Sequence, residues 1–407
     1  MLLQSGWFAI RAIVEFYGLA IPMKETMRRI CGLAACLLAG LIVGCAHPES
    51  ESTVSWDPKT AAAYLDQRAA WWMGWQGAAR DHRTFCISCH TALPYALSRP
   101  ALRKALGEAV PSINERRLLD NVKKRVSLWK DAGTFYNDQE HGLSKTNQSR
   151  GTESVLNALI LASYDTQGGR LSDDTRSAFD NMWVLQQTTG NTEGAWLWLD
   201  FGLAPWEAKD SQYYGATLAS VAVGTAPENY RSTPEIQNNL KLLRDYLRRE
   251  YATQSLINRV ALLWASTKMP GLLEPEQQKS IVNEVLDKQE NDGGWSLSPL
   301  SRTWRGWSLR ALARMWIRAD GTRYEGKSDG YATGLITLAL QQVGIPHENV
   351  QLQKSLSWLK RNQNKAEGLW PSYSLNKRRN PSSNIGHFMS DAATAYGVLA
   401  LTETDRH

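Results

Sequence analysis

Two kinds of helical segment alternate along this chain, and the alternation restricts its fold more than any other feature. Apolar residues recur at i, i+3 and i+4 in 60–75, 118–130, 175–187, 238–251, 276–289 and 349–363. These segments also carry charged faces, such as Lys123-Lys124-Arg125 and Arg244-Asp245. Between them lie 86–98, 153–164, 211–224, 256–267, 329–344 and 391–403, rich in Ala, Leu, Gly, Val and Tyr, as expected of helices buried nearly all round. Period-two alternation of β-branched residues is almost absent. The pattern predicts six outer and six inner helices, with 304–316 as a further helical insertion before the fifth inner helix. Repeated helix pairs stack either as an open solenoid or as a closed ring. Six hairpins without a polar capping helix suit the ring, an all-α (α/α)6 toroid.

The junctions narrow this further. Three outer segments end in related phrases: Gln187 to Glu193-Gly194-Ala195-Trp196, Gln289 to Asp292-Gly293-Gly294-Trp295, and Gln363 to Glu367-Gly368-Leu369-Trp370. A Gln at a helix end can hydrogen-bond backbone, the Gly releases the chain into a turn, and the Trp packs back between hairpins. These phrases resemble the QW repeats of the terpenoid cyclase and prenyltransferase superfamily, over roughly residues 60–403. The resemblance implies a squalene-cyclase-like α/α toroid as a single domain. Squalene-hopene-type cyclases protonate their substrate with a D-x-D-D motif. Here the nearest match, Leu171-Ser172-Asp173-Asp174, lacks the first Asp and precedes an outer helix, so classical cyclase activity is not expected. Prenyltransferases of this fold hold zinc with Asp, Cys and His, a set the chain does not repeat. The toroid also serves glycan-processing enzymes, which pair carboxylates with Trp platforms; the QW-like phrases argue against that subclass.

Glu153, Asp210, Asp329 and Asp391 are each read as opening an inner helix, which would gather them on one rim. They could serve there as general acids or bases. Helix N-capping, and favourable charge at a positive helix end, account for them equally simply.

Cys86-Ile87-Ser88-Cys89-His90 spells C-x-x-C-H, the spacing of covalent haem attachment. Two thiols can add to the two vinyl groups of one haem c, and His90 then becomes the proximal iron ligand. A disulfide or thiol pair is the other reading, whereas zinc would want two further Cys or His ligands. The motif falls in the first hairpin, at the start of an inner helix, so a haem would sit at the rim or in the cavity. A distal ligand would come from another outer-to-inner junction: Met389 or His387, just before the sixth inner helix, or His141. The chain also resembles bacterial proteins that join a C-x-x-C-H segment to a cyclase-like toroid.

The N-terminal stretch fits an exported protein. Arg28 and Arg29 precede an apolar run from Cys31 to Val43, too short to span a membrane, and then Gly44-Cys45. Residues 1–44 read as a signal segment, with 1–22 ascribed to a start assigned upstream of Met23 or Met27. Ile42-Val43-Gly44-Cys45 resembles a bacterial lipoprotein signal, which implies lipidation of Cys45, a linker over 45–59, and a periplasmic protein anchored to the outer membrane. The formal charge of +6 is spread out, which excludes a nucleic-acid partner. The 17 Trp residues suit an apolar cavity. The sequence therefore predicts a c-type haem protein, acting in electron transfer with a redox partner protein or in haem-dependent oxidoreductase chemistry on a small apolar ligand. The alternatives are a cyclase- or prenyltransferase-like enzyme, or a lipoprotein that binds a hydrophobic ligand without haem.

Overall fold

A computed structural model describes residues 55–302 and 317–403. The signal segment, Cys45 and the 304–316 insertion lie outside the described residues. Twelve long helices form the two layers. The outer helices are α1 (Pro58–Gly74), α3 (Ile113–Ser127), α5 (Asp173–Val184), α7 (Gln237–Glu250), α9 (Pro275–Asp287) and α11 (Val350–Asn362). The inner ones are α2 (Ala92–Ala105), α4 (Lys145–Gly168), α6 (Ser211–Thr225), α8 (Leu256–Lys268), α10 (Gly330–Gln342) and α12 (Phe388–Glu403). Inner helices pack in the order α2, α4, α6, α8, α10, α12, and α12 packs back on α2. The ring is closed. Among the described residues no helix is long and apolar enough to cross a membrane.

The expected alternation holds, and burial explains it. Leu240, Leu243, Tyr246 and Leu247 are the buried side chains of α7, a single stripe, whereas Tyr213 to Val223 of α6 are buried without a break. Small residues let inner helices approach closely: a Cβ on Gly334 of α10 would lie 2.7 Å from the Gly397 nitrogen of α12.

The Gln-Gly-Trp phrases are the joints of the ring. Trp196, Trp295 and Trp370 are fully buried, and each indole N–H donates over 2.7 Å to a carbonyl of its own outer helix, on Met182, Val285 and Leu359. Gly194, Gly293 and Gly368 have φ between 81 and 95°. A Cβ on them would lie 2.0, 2.7 and 2.1 Å from the carbonyl oxygens of Leu242, Lys354 and Thr60, each on the next outer helix around the ring. The amide nitrogens of Gln289 and Gln363 donate to Gln351 O (2.8 Å) and Asp57 O (2.9 Å), where α11 and α1 begin. In the earlier repeat this role falls to Gln186, which reaches Asn239 O at 3.0 Å, and not to Gln187, whose side chain turns back to Leu185 O.

Candidate active site at the mouth of the toroid

Outer helices end, and inner helices begin, at the same rim, so the connecting loops gather over one mouth. The first loop is held by a short antiparallel pair, Ala79-Arg80 with Thr84-Phe85, turned through His82 and Arg83 at φ 51 and 57°. C-x-x-C-H follows, irregular over 86–88 and turning through Cys89, His90 and Thr91 into the next helix. Helix α2 begins only at Ala92, later than the sequence pattern suggests, because Ser88 Oγ accepts from the Thr91 and Ala92 N–H groups and caps it.

Tight packing surrounds the motif. Cys86 and Cys89 are free and buried. The Tyr136 ring lies beside Cys86, and Trp72 Nε1 donates to Cys86 O at 2.7 Å. Burial pushes the Cys86 thiol up to about 11 and Cys89 well above its usual range, so both stay protonated near neutrality. The His90 ring lies 3.8 Å from Phe388, stacked, with Trp72 edge-on at 5.0 Å and Trp206 at 6.3 Å. Burial, then the nearby Arg68 charge, lowers His90 to about 3, which keeps the imidazole neutral. A haem bonded to both thiols would need the volume these aromatic side chains occupy, and the residues in this packing do not fit one.

Met389 is buried in α12, and the residue against His90 is its neighbour Phe388, on the ring face. His387 is half-buried and bonds Tyr64, while His141 is exposed in a short helix beside Tyr136 and Phe201.

The rim carboxylates are mostly engaged in structure. Glu153 sits well inside α4 and does not open it; it is paired with Arg125 at 2.8 and 3.0 Å. Asp329 is a true N-cap of α10, accepting from Tyr331 N and Ala332 N, and it also accepts from Leu297 N and Ser372 Oγ. Asp391 lies in the first turn of α12 and is paired with Arg68. Asp210 flanks α6 but is exposed and forms no cap bond.

The sequence gives no sign of Glu207. It sits on the 199–210 loop, which folds into a tight bend through reciprocal 2.8 Å backbone bonds between Leu203 and Glu207. Trp206 anchors the bend over the centre of the ring: its Nε1 donates to Tyr331 O–H at 3.0 Å, and its carbonyl accepts from Trp198 Nε1 at 2.8 Å. Glu207 lies close enough to Cys86, Cys89 and Tyr136 for its charge to hold all three upward. Its own carboxyl forms no hydrogen bond or ion pair among the described residues. Burial raises it to about 7 against the opposing charge of Lys145, whose ammonium bonds Gln148 Oε1 and Asp200 O. Among the described residues the buried Tyr214 hydroxyl, beside Tyr396, forms no hydrogen bond of ordinary geometry.

Fold and mouth together define an α/α-toroid protein whose mouth carries Glu207, an acid without a side-chain partner among the described residues. No protein-family model matches the chain, and no curated protein matches it. Solved structures similar to it include three glycosidase variants, each 13% identical, covering 85% of this chain and 98% of theirs, with TM-scores of 0.46, 0.47 and 0.46. The expectation of a haem electron-transfer or haem-redox protein is corrected. The packing around His90, with Phe388 stacked on the ring and Trp72 edge-on to it, overturns it.

Proposed function

We propose that the chain is an enzyme that cleaves glycosidic bonds at the mouth of its toroid, with Glu207 as the proton donor. The observation that carries this reading is the state of Glu207: a carboxyl with no hydrogen-bond or ion-pair partner among the described residues, raised by burial to about 7 and so about half protonated at neutral pH. A glycosidic oxygen leaves readily only if an acid protonates it as the bond breaks, and a carboxyl raised towards neutrality is suited to that task. The second carboxylate such chemistry requires would come from Asp200 or Asp210, which flank Glu207 on the same loop. The test is turnover of a panel of aryl glycosides and polysaccharides. Glu207→Gln is expected to lower kcat/KM by about 100-fold or more with the helical circular dichroism unchanged. An inactive wild type across the panel, or a fully active Glu207→Gln, overturns the reading.

A further inference from the structure

Asp391 sits at the junction of the first and last hairpins and accepts four hydrogen bonds. Arg68 gives two, Nε to Oδ1 at 2.8 Å and Nη2 to Oδ2 at 3.0 Å. Tyr64 O–H gives one to Oδ1 at 2.7 Å, and Thr91 Oγ1–H one to Oδ2 at 2.6 Å. Each hydroxyl also touches a histidine: Thr91 Oγ1 is 2.8 Å from His90 Nδ1, and Tyr64 O is 3.3 Å from His387 Nδ1. A hydroxyl has one hydrogen. Turned towards the histidine, it would set its bare oxygen against a carboxylate oxygen at less than 3 Å. Both hydroxyls therefore donate to Asp391 and can only accept from the imidazoles. Neither Nε2 has a hydrogen-bond partner among the described residues.

We infer that Asp391 is a positioning residue that fixes His90 and His387 as Nδ1–H tautomers, so that each offers an unprotonated Nε2 to a ligand O–H or N–H. His90 offers it at the mouth. His387 offers it in the groove of about 570 Å³ between the first and last hairpins, lined also by Tyr64, Arg68, Trp71 and Glu367. In many sites a carboxylate fixes the far nitrogen of an imidazole directly; here Asp391 acts through the Thr91 and Tyr64 hydroxyls. That His90 faces a substrate rests on the glycosidase reading; the tautomer itself does not.

The measurement is a long-range ¹H–¹⁵N correlation spectrum of the histidine-labelled full chain at neutral pH, assigned with His90→Gln and His387→Gln. Both wild-type rings are expected to show a protonated Nδ1 and a bare Nε2. Thr91→Val is expected to move His90 alone towards Nε2–H, and Tyr64→Phe to move His387 alone. Asp391→Asn, if it folds, should shift both; the wild-type spectrum decides the matter without it. An Nε2–H signature at either ring of the wild type overturns the inference, as does an unchanged His90 in Thr91→Val. Glycoside turnover does not enter this readout, so the inference and the proposed activity can fail separately.

Discussion

Glu207 and His90 titrate in opposite senses, and each gives a prediction. Glu207 is raised from the ordinary carboxyl range to about 7, so it holds its proton below that pH and loses it above. Activity that depends on it should fall as pH rises through about 7, and a pH–rate profile of kcat/KM checks this. The folded state also binds a proton here that the unfolded state has released, so this group contributes stability that is lost as pH climbs from about 4.5 to about 7. Denaturant midpoints across that window should fall less steeply in Glu207→Gln. His90 works the other way. Its folded value near 3 lies below the ordinary 6.5, so the unfolded chain takes up a proton that the fold refuses. Stability should drop as pH falls from about 6.5 towards 3, and His90→Gln should flatten that loss in urea titrations. Little of this was legible in the sequence. C-x-x-C-H is a strong local signal, but Phe388, Trp72 and Tyr136 decide what its residues can do, and the motif mentions none of them. Glu207 carries no signal at all, because its surroundings are assembled from residues as distant as Cys86 and Lys145.

At the level of elements the sequence was far more informative. Helix type could be read segment by segment, since a stripe of apolar positions means one dry face and an unbroken apolar run means none. The joints could be read too, because Gln, Gly and Trp each meet a requirement that few other residues meet. The register of one joint could not: Gln186 and Gln187 are chemically identical, and only the backbone direction at the end of α5 selects the first. Gln186→Ala should therefore cost about 1–2 kcal/mol through two lost backbone bonds, with Asn239 Nδ2 losing its acceptor as well, while Gln187→Ala should cost under about 0.5 kcal/mol. Paired chemical denaturation of the two variants checks this. Equal losses would show that the joint is not built through Gln186.

Ring closure leaves one seam that the chain itself does not cross. Around the rest of the toroid, adjacent hairpins are joined by chain as well as by packing. Between the last hairpin and the first there is no such link, and α1 and α2 meet α12 through non-covalent contacts alone. Among the contacts that bridge that gap, Gln363 clasps Asp57 from both sides, Oε1 accepting from Asp57 N at 2.6 Å and Nε2 donating to Asp57 O at 2.9 Å; Arg68, Tyr64 and Thr91 bond Asp391; and Trp370 lies 6.0 Å from Trp56. The equivalent Gln289 makes a similar joint where the chain is continuous. Removing either amide should cost about 1–2 kcal/mol overall. The consequence should differ in place. Without Gln363, α1 can lift from the ring without the rest unfolding, so amides in Pro58–Gly74 should exchange with solvent faster by about tenfold, the factor that 1.4 kcal/mol corresponds to. Without Gln289, flanking chain holds the joint, and the loss should spread over the global unfolding of the toroid. Hydrogen exchange followed by mass spectrometry resolves the two patterns. If α1 exchanges no faster in Gln363→Ala than in Gln289→Ala, the seam is held by the Arg68–Asp391 pair and the buried apolar contacts instead.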